Sequence, residues 1–136
     1  MIDWHECVKK RIVKDVQEDI YLINSLIKSS RNKLKSSDNL AISEVTASSK
    51  LSLAYDSLRE LLESIALKKG FKIYNHECYT AFLKEILNQS NNGDEFDEIR
   101  KVRNAINYYG KDISIGEAEN IIQKIKKLIR HFLKLI

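Results

Sequence analysis

The chain has 136 residues with no proline and only four glycines, 43% of it hydrophobic and 31% charged, at a formal net charge of +4. That is room for one domain and too little for two well-formed ones, in a globular and helix-rich balance. No apolar run reaches the length of a membrane span, and MIDWHECVKKRIVKD lacks the charged-then-apolar order of a signal peptide. The mild basic excess permits contact with nucleic acid without demanding it. A cytoplasmic protein is expected, with Cys7 and Cys78 both reduced, since nothing resembles a disulfide framework.

The first predicted element is one long helix in which Trp4, Val8, Ile12, Val16, Ile20, Ile23 and Ile27 recur at spacings of three or four. It runs into the basic and polar stretch Lys28 to Ser37, which reads either as the frayed helix end or as a connection. Ser37-Asp38-Asn39 reads as the turn and N-cap of a second helix, from about Leu40 to Lys69. That helix turns Val45, Ser48, Leu51, Tyr55, Leu58, Leu62, Ile65 and Ala66 to one side. Ala41, Ala47, Ser48, Ser49 and Ala54 are small enough for close approach to a neighbour. Lys68, Lys69 and Gly70 form its C-terminal signal.

Phe71 to Tyr74 reads as a linker, and Asn75 as the N-cap of a shorter third helix ending near Asn88. Gln89 to Gly93 reads as a turn, with Asp94 capping a fourth helix that Gly110 ends. The fifth helix opens on the capping box of Ser114 and Glu117. Ile115, Ala118, Ile121, Ile122, Ile125, Leu128, Ile129 and Phe132 form its apolar side, and Lys124, Lys126, Lys127, Arg130 and Lys134 its basic side. With no strand-like alternation anywhere, the pattern predicts an all-α, up-and-down bundle of about five helices.

The fourth helix carries the chemistry. Along FDEIRKVRNAINYYG, Ile99, Val102, Ile106 and Tyr109 form an apolar arc, and Arg100, Arg103 and Asn107 follow its edge. A guanidinium at a core boundary needs a carboxylate, carbonyl or phosphate, so Arg103 is either an ion-pair member or an anion-binding residue. Tyr109 is expected in the core, and Tyr108, on the far side of the wheel, is free to meet a ligand or partner. Asp56, Glu60 and Glu63 stand beside the second helix's core stripe; Glu60 and Glu63 read as surface or intrahelical pairs with Arg59 and nearby lysines, the alternative being that one of these acids holds Arg103.

The run IRKVRNAINYYG, preceded by YDSLRELLESIALKKGFKIYNHECYTAFLKEI, resembles the HEPN domain, a small helical module of prokaryotic toxins and RNA-processing proteins. The resemblance covers most of the chain and is strongest from Leu51 to Tyr109. Arg103 and Asn104 match the family's Arg-polar pair; the His expected a few positions later is replaced by Tyr108, Tyr109 and Gly110. The resemblance implies metal-independent RNA cleavage, in which a 2′-hydroxyl attacks the neighbouring phosphate, a histidine moves the proton and guanidinium groups stabilise the phosphorane. Arg103 is then the catalytic candidate, with Tyr108 a weak one in place of the His. Arg100, Arg103, Asn104 and Asn107 are the RNA-binding or phosphate-binding candidates.

Because asparagine is no base and a phenol is a poor one near neutral pH, the site reads as binding-competent and weak or inactive in cleavage. The alternative is a non-catalytic interaction domain that pairs with a small nucleotidyltransferase in a toxin-antitoxin-like system. A homodimer is expected on either reading, and no cofactor and no membrane contact. Nucleotide binding lacks a glycine-rich phosphate loop. The triplet His-Glu-Cys occurs at His5 to Cys7 and again at His76 to Cys78. Residues two apart diverge around a helix, so one triplet cannot chelate an ion, and the recurrence reads as chance with no metal site. His131 reads as a solvated residue at a basic helix end.

Overall fold

The computed structural model describes residues 1–136 and contains six α-helices and one two-stranded sheet. In chain order these are α1 (Trp4–Lys9), β1 (Val13–Asp15), α2 (Ile20–Asn39), α3 (Ala47–Lys68), β2 (Phe71–Ile73), α4 (His76–Ala81), α5 (Ser90–Tyr109) and α6 (Ile115–Leu133). A π-helical turn, Phe82–Ile86, extends α4. The helical bundle is as expected. No helix is long and apolar enough to cross a membrane.

The first expected helix is three elements. Asp3 caps α1 by accepting from the Glu6 amide at 2.8 Å, and the helix stops where Arg11 takes a left-handed φ of 58°. Ile12, Val13 and Val16 are β-branched, and a branched residue loses less in a pleat than in a helix. The chain accordingly turns into β1, which pairs antiparallel with β2 in the register Val13 to Ile73, Lys14 to Lys72 and Asp15 to Phe71. The segment expected as a linker is thus a strand, buried through Ile73. Asp19 then caps α2 by accepting from the Leu22 amide at 3.1 Å.

Helix α2 takes in the whole Lys28 to Ser37 stretch, and its inward face explains why hydrophobicity alone missed it. Ser30 and Ser37 are buried there. The Ser30 hydroxyl donates to the Ser57 carbonyl at 2.6 Å, and the Ser57 hydroxyl donates back to the Ser30 carbonyl at 2.7 Å. Ser37 donates to the Lys50 carbonyl at 2.8 Å. Small hydroxyls let α2 and α3 approach closely while satisfying their own polarity. The expected turn at Ser37 to Asn39 is instead the last turn of α2, where the carbonyls of Ser37 and Leu40 accept from Lys50 Nζ at 2.6 and 2.9 Å. Helix α3 starts at Ala47, later than expected, so Val45 stands 88% exposed outside the core.

Helix α3 is the centre of the molecule, with α2, α5, α6 and β2 packed around it. Leu51, Ala54, Tyr55, Leu58, Leu61, Leu62, Ile65 and Ala66 are all buried. The stripe Ala118, Ile121, Ile122, Ile125, Leu128, Ile129 and Phe132 of α6 closes one side, and Ser114 caps that helix as expected, accepting from the Glu117 amide at 3.1 Å. Helix α5 begins at Ser90, inside the expected turn. Gly93 is there for space: a Cβ would stand 2.7 Å from the Lys84 side chain. Gly110 ends α5 with a left-handed φ of 62°, as expected.

The two cysteines are joined. Cys7 of α1 and Cys78 of α4 form a disulfide, their Cα atoms 6.1 Å apart, and both are fully buried. This corrects the expectation of free thiols, and it takes the sulfur of both His-Glu-Cys triplets out of any ligand set. Nor does it favour the expected cytoplasmic placement, since reducing compartments keep such pairs as thiols. Around it, Trp4 packs edge-on to Phe71 at 5.1 Å, and the Trp4 and Ile2 amides donate to Glu85 at 2.6 Å and Glu77 at 3.3 Å. The sequence signal was absent because cysteines 71 residues apart meet only through the hairpin. Closing a loop of that length removes unfolded-state entropy on the order of 4 kcal/mol. The double variant Cys7→Ala, Cys78→Ala is therefore expected to lose several kcal/mol in urea unfolding, and a loss under about 1 kcal/mol would show that the entropy is recovered elsewhere.

Candidate anion-binding cleft

Three segments converge beside α3. The end of β2 and the start of α4 bring Tyr74, Asn75, His76 and Glu77, and α5 brings Arg100, Asn104 and Tyr108; together they line a cleft of about 390 Å³. Residues 100, 104 and 108 are four apart and so stand on one helical stripe. Of the residues singled out in the sequence, Arg100, Asn104 and Tyr108 line the cleft. Arg103 and Asn107 do not; they stand on the adjoining stripe.

Arg103 is held from behind. Its guanidinium lies over the Tyr55 ring, 5.1 Å from the centroid, with Asp56 Oδ1 at 3.9 Å. Asp56 is thus the acid that faces Arg103. With its amide oxygen turned to the guanidinium, Asn107 accepts from Arg103 Nε at 2.9 Å. Tyr109, expected in the core, is 84% exposed. The apolar arc of α5 is buried at Ile99 and only half-buried at Val102 and Ile106, because α5 runs out beyond the helices that cover its first half.

Arg100 reaches the cleft from a tight local network. Its Nε and Nη2 donate to Asp97 Oδ1 at 3.1 and 2.8 Å, Thr80 donates to the same oxygen at 3.2 Å, and Lys101 meets Oδ2 at 3.1 Å. Burial alone would push the Asp97 carboxyl up, but the bonds and charges of Arg100 and Lys101 outweigh it and hold it below the ordinary range. Glu63 has the same arrangement, with Arg59 at 2.9 Å and Lys72 at 3.0 Å. Of the charged residues that line the cleft, Arg100 is paired with Asp97 and Glu77 is a carboxylate; the positive excess at His76 comes largely from behind the lining, where Arg59 and Arg103 add to Arg100 against Glu63.

His76 is the residue that sequence reasoning missed. The expected histidine was sought after Arg103, whereas the structure brings one to the same helix from the start of α4. The available signal was Asn75, a helix N-cap that sets the next residue in a first turn; its side chain does accept from the Glu77 amide, at 2.7 Å. His76 Nδ1 lies 2.9 Å from the Tyr55 hydroxyl. Burial drives the Tyr55 phenol far above its ordinary pKa, so it keeps its proton, and Nδ1 is its one hydrogen-bond partner. Tyr55 therefore donates to Nδ1, and the ring carries its proton on Nε2.

Burial first, then the charges of Arg59, Arg103 and Arg100, lower the His76 pKa to about 4. The group is a neutral donor near pH 7 and a poor general base. What the cleft offers chemically is a set of donors: the His76 Nε2–H, the Arg100 guanidinium, the Asn104 amide and the Tyr108 hydroxyl. These suit the oxygens of a phosphate. No group of three or more His, Cys, Asp or Glu side chains is placed to hold a metal ion. No family model, curated protein or solved structure matches the chain, so the family resemblance rests on its residues alone.

Because the folded His76 has the lower pKa, the unfolded chain takes up the extra proton between pH 6.5 and about 4. Its contribution is complete above that window and is lost as pH falls through it. Wild-type stability is expected to drop on the order of 2 kcal/mol more than that of His76→Gln across the window, read by urea unfolding. Parallel profiles would count against a half-buried neutral imidazole.

Proposed function

We propose that the protein is a HEPN-like, RNA-associated module that binds a phosphodiester in the cleft between α4 and α5 and is weak or inactive as an endoribonuclease. The observation that carries the reading is the pairing of Arg100 with a histidine held as a neutral Nε2–H donor, in surroundings of excess positive charge. The same field that keeps a proton off His76 attracts an anion. It also argues for binding over cleavage: the imidazole nearest the arginines has its basic nitrogen occupied by Tyr55, and losing a general base costs about 10²- to 10⁴-fold in rate. Arg103, stacked on Tyr55, serves in this reading to position the cleft wall and to add charge.

A second reading is favoured by a different observation. Beyond Ile99 the apolar arc of α5 is only partly covered: Val102 and Ile106 are half-buried against the core and Tyr109 is exposed. An arc of that kind suits a second copy of the chain or a protein partner, in keeping with the expected homodimer and the nucleotidyltransferase pairing.

Labelled RNA in EDTA tests the first reading. Arg100→Gln and His76→Gln are each expected to weaken binding about tenfold, as charge-assisted or buried donors do. Cleavage is expected to be slow or absent in wild type and lost in Arg103→Ala. Unchanged binding in both cleft variants, with the fold retained by circular dichroism, would overturn the reading. Light scattering decides the second reading: an Ile106→Asp protein that stays folded and shows the wild-type mass would refute pairing through α5.

A further inference from the structure

Two large aromatic side chains at the cleft take no part in the core. Tyr74 is 60% exposed and Tyr108 71% exposed, yet both line the cleft that contains Arg100 and His76. They come from distant segments, the end of the hairpin and the last turn of α5. Single exposed aromatics are ordinary on a protein surface, but two on the rim of one cationic cleft form an arrangement.

The backbone under Tyr74 is fixed, because its amide donates to the Ile12 carbonyl at 2.9 Å as the hairpin continues. Alternation along β2 then sends Ile73 inward and Tyr74 outward. Lys14 and Lys72 face each other across the hairpin, and their Nζ atoms stand 5.4 and 5.8 Å from the Tyr74 ring centroid. Like charges directly opposite on two strands are unfavourable. Lys72 is answered by Glu63, whereas Lys14 has no carboxylate partner. A ring that lines the Arg100 cleft and also meets a cation without a carboxylate partner brings an aromatic face and positive groups together, as a base and its flanking phosphates require.

We propose that the cleft takes one unpaired nucleotide of a single strand, with the Tyr74 and Tyr108 rings as stacking platforms, its phosphate at Arg100 and His76, and the adjoining phosphate at Lys14. This rests on the phosphodiester reading above and adds the base. A volume of about 390 Å³ holds one nucleotide and not a duplex. Bases inside a duplex are stacked on one another and present no free face to a tyrosine. Stacking on aromatics is tolerant of sequence, so the cleft discriminates paired from unpaired strands more than one base from another.

Fluorescence anisotropy with a labelled single-stranded RNA, the same sequence as DNA, and the blunt RNA duplex tests the inference on the full chain. Both tyrosines are exposed, so Tyr74→Ala and Tyr108→Ala should fold normally. Each is expected to weaken single-strand binding about tenfold, with Tyr108→Trp close to wild type. The salt dependence should be unchanged in the tyrosine variants and shallower in Arg100→Gln and Lys14→Gln. Wild-type binding by both alanine variants, with a loss in Arg100→Gln, would overturn the stacking proposal and leave the phosphate site standing. Equal affinity for duplex and single strand would likewise overturn it. Equal binding of the DNA strand would support the nucleotide and remove the preference for RNA. No binding of any of the three would end both readings.

Discussion

A helix packed on nearly every side cannot leave its charges to solvent, and α3 carries Asp56, Arg59, Glu60 and Glu63 in its middle. Burying an unpaired carboxylate costs several kcal/mol, so each of these groups dictates what stands opposite. Glu60 is met by Lys33 and by the Ser29 hydroxyl, which sets the rotation of α2. Glu63 draws in Arg59 and Lys72, which ties the hairpin to the helix. Asp56 and the Tyr55 ring receive Arg103, and the Tyr55 hydroxyl receives His76, which sets α5 and α4. Neighbours that shape complementarity alone would allow to slide are pinned by polar groups that have no second solution nearby. Two buried oxygens, Glu60 Oε2 and the Tyr79 hydroxyl, are left without a partner.

The cleft follows from that arrangement. Two carboxylates, Asp97 and Glu63, each serve two cations, so those two pairings leave positive charge over beside the meeting of α3, α4 and α5. Tyr55 has a double part in it: its ring supports Arg103 and its hydroxyl selects the tautomer of His76. A histidine in such a place differs from the mobile, near-neutral imidazole of a proton shuttle. It is a fixed donor in a fixed direction.

How much of this was legible in the sequence follows from which forces leave a periodic trace. Helices α3 and α6 show their apolar stripes, Ser114 with Glu117 marks a start, and Gly110 marks an end. Arg100, Asn104 and Tyr108 were each singled out in the sequence, but not as one stripe, because Arg100 was set with Arg103 and Asn107 along the edge of the apolar arc. The inward face of α2 was not, because Ser30 and Ser37 do there what leucines do elsewhere. Gly93 reads as a turn signal when it serves close packing inside a helix. The three-residue strands are too short for alternation to register. His76 and the Cys7–Cys78 pair share the deepest reason: Asn75 marks where the helix of His76 begins, but what each residue meets is set by segments far apart in the chain, which a single sequence does not record.

The disulfide divides the molecule into a covalent ring, closed from Cys7 to Cys78, and a linear tail that carries α5 and α6. His76 and Tyr74 lie inside the ring, whereas Arg100, Asn104 and Tyr108 lie on the tail. The two walls of the cleft therefore belong to parts of the chain with different freedom to open. The tail is docked on the ring through the shared core, by Phe96, Ile99 and the α6 stripe, and at the cleft by the contact of Arg103 with Tyr55 and Asp56. A ligand bridging the walls would act as the missing cross-link, coupling occupancy of the cleft to the docking of the tail.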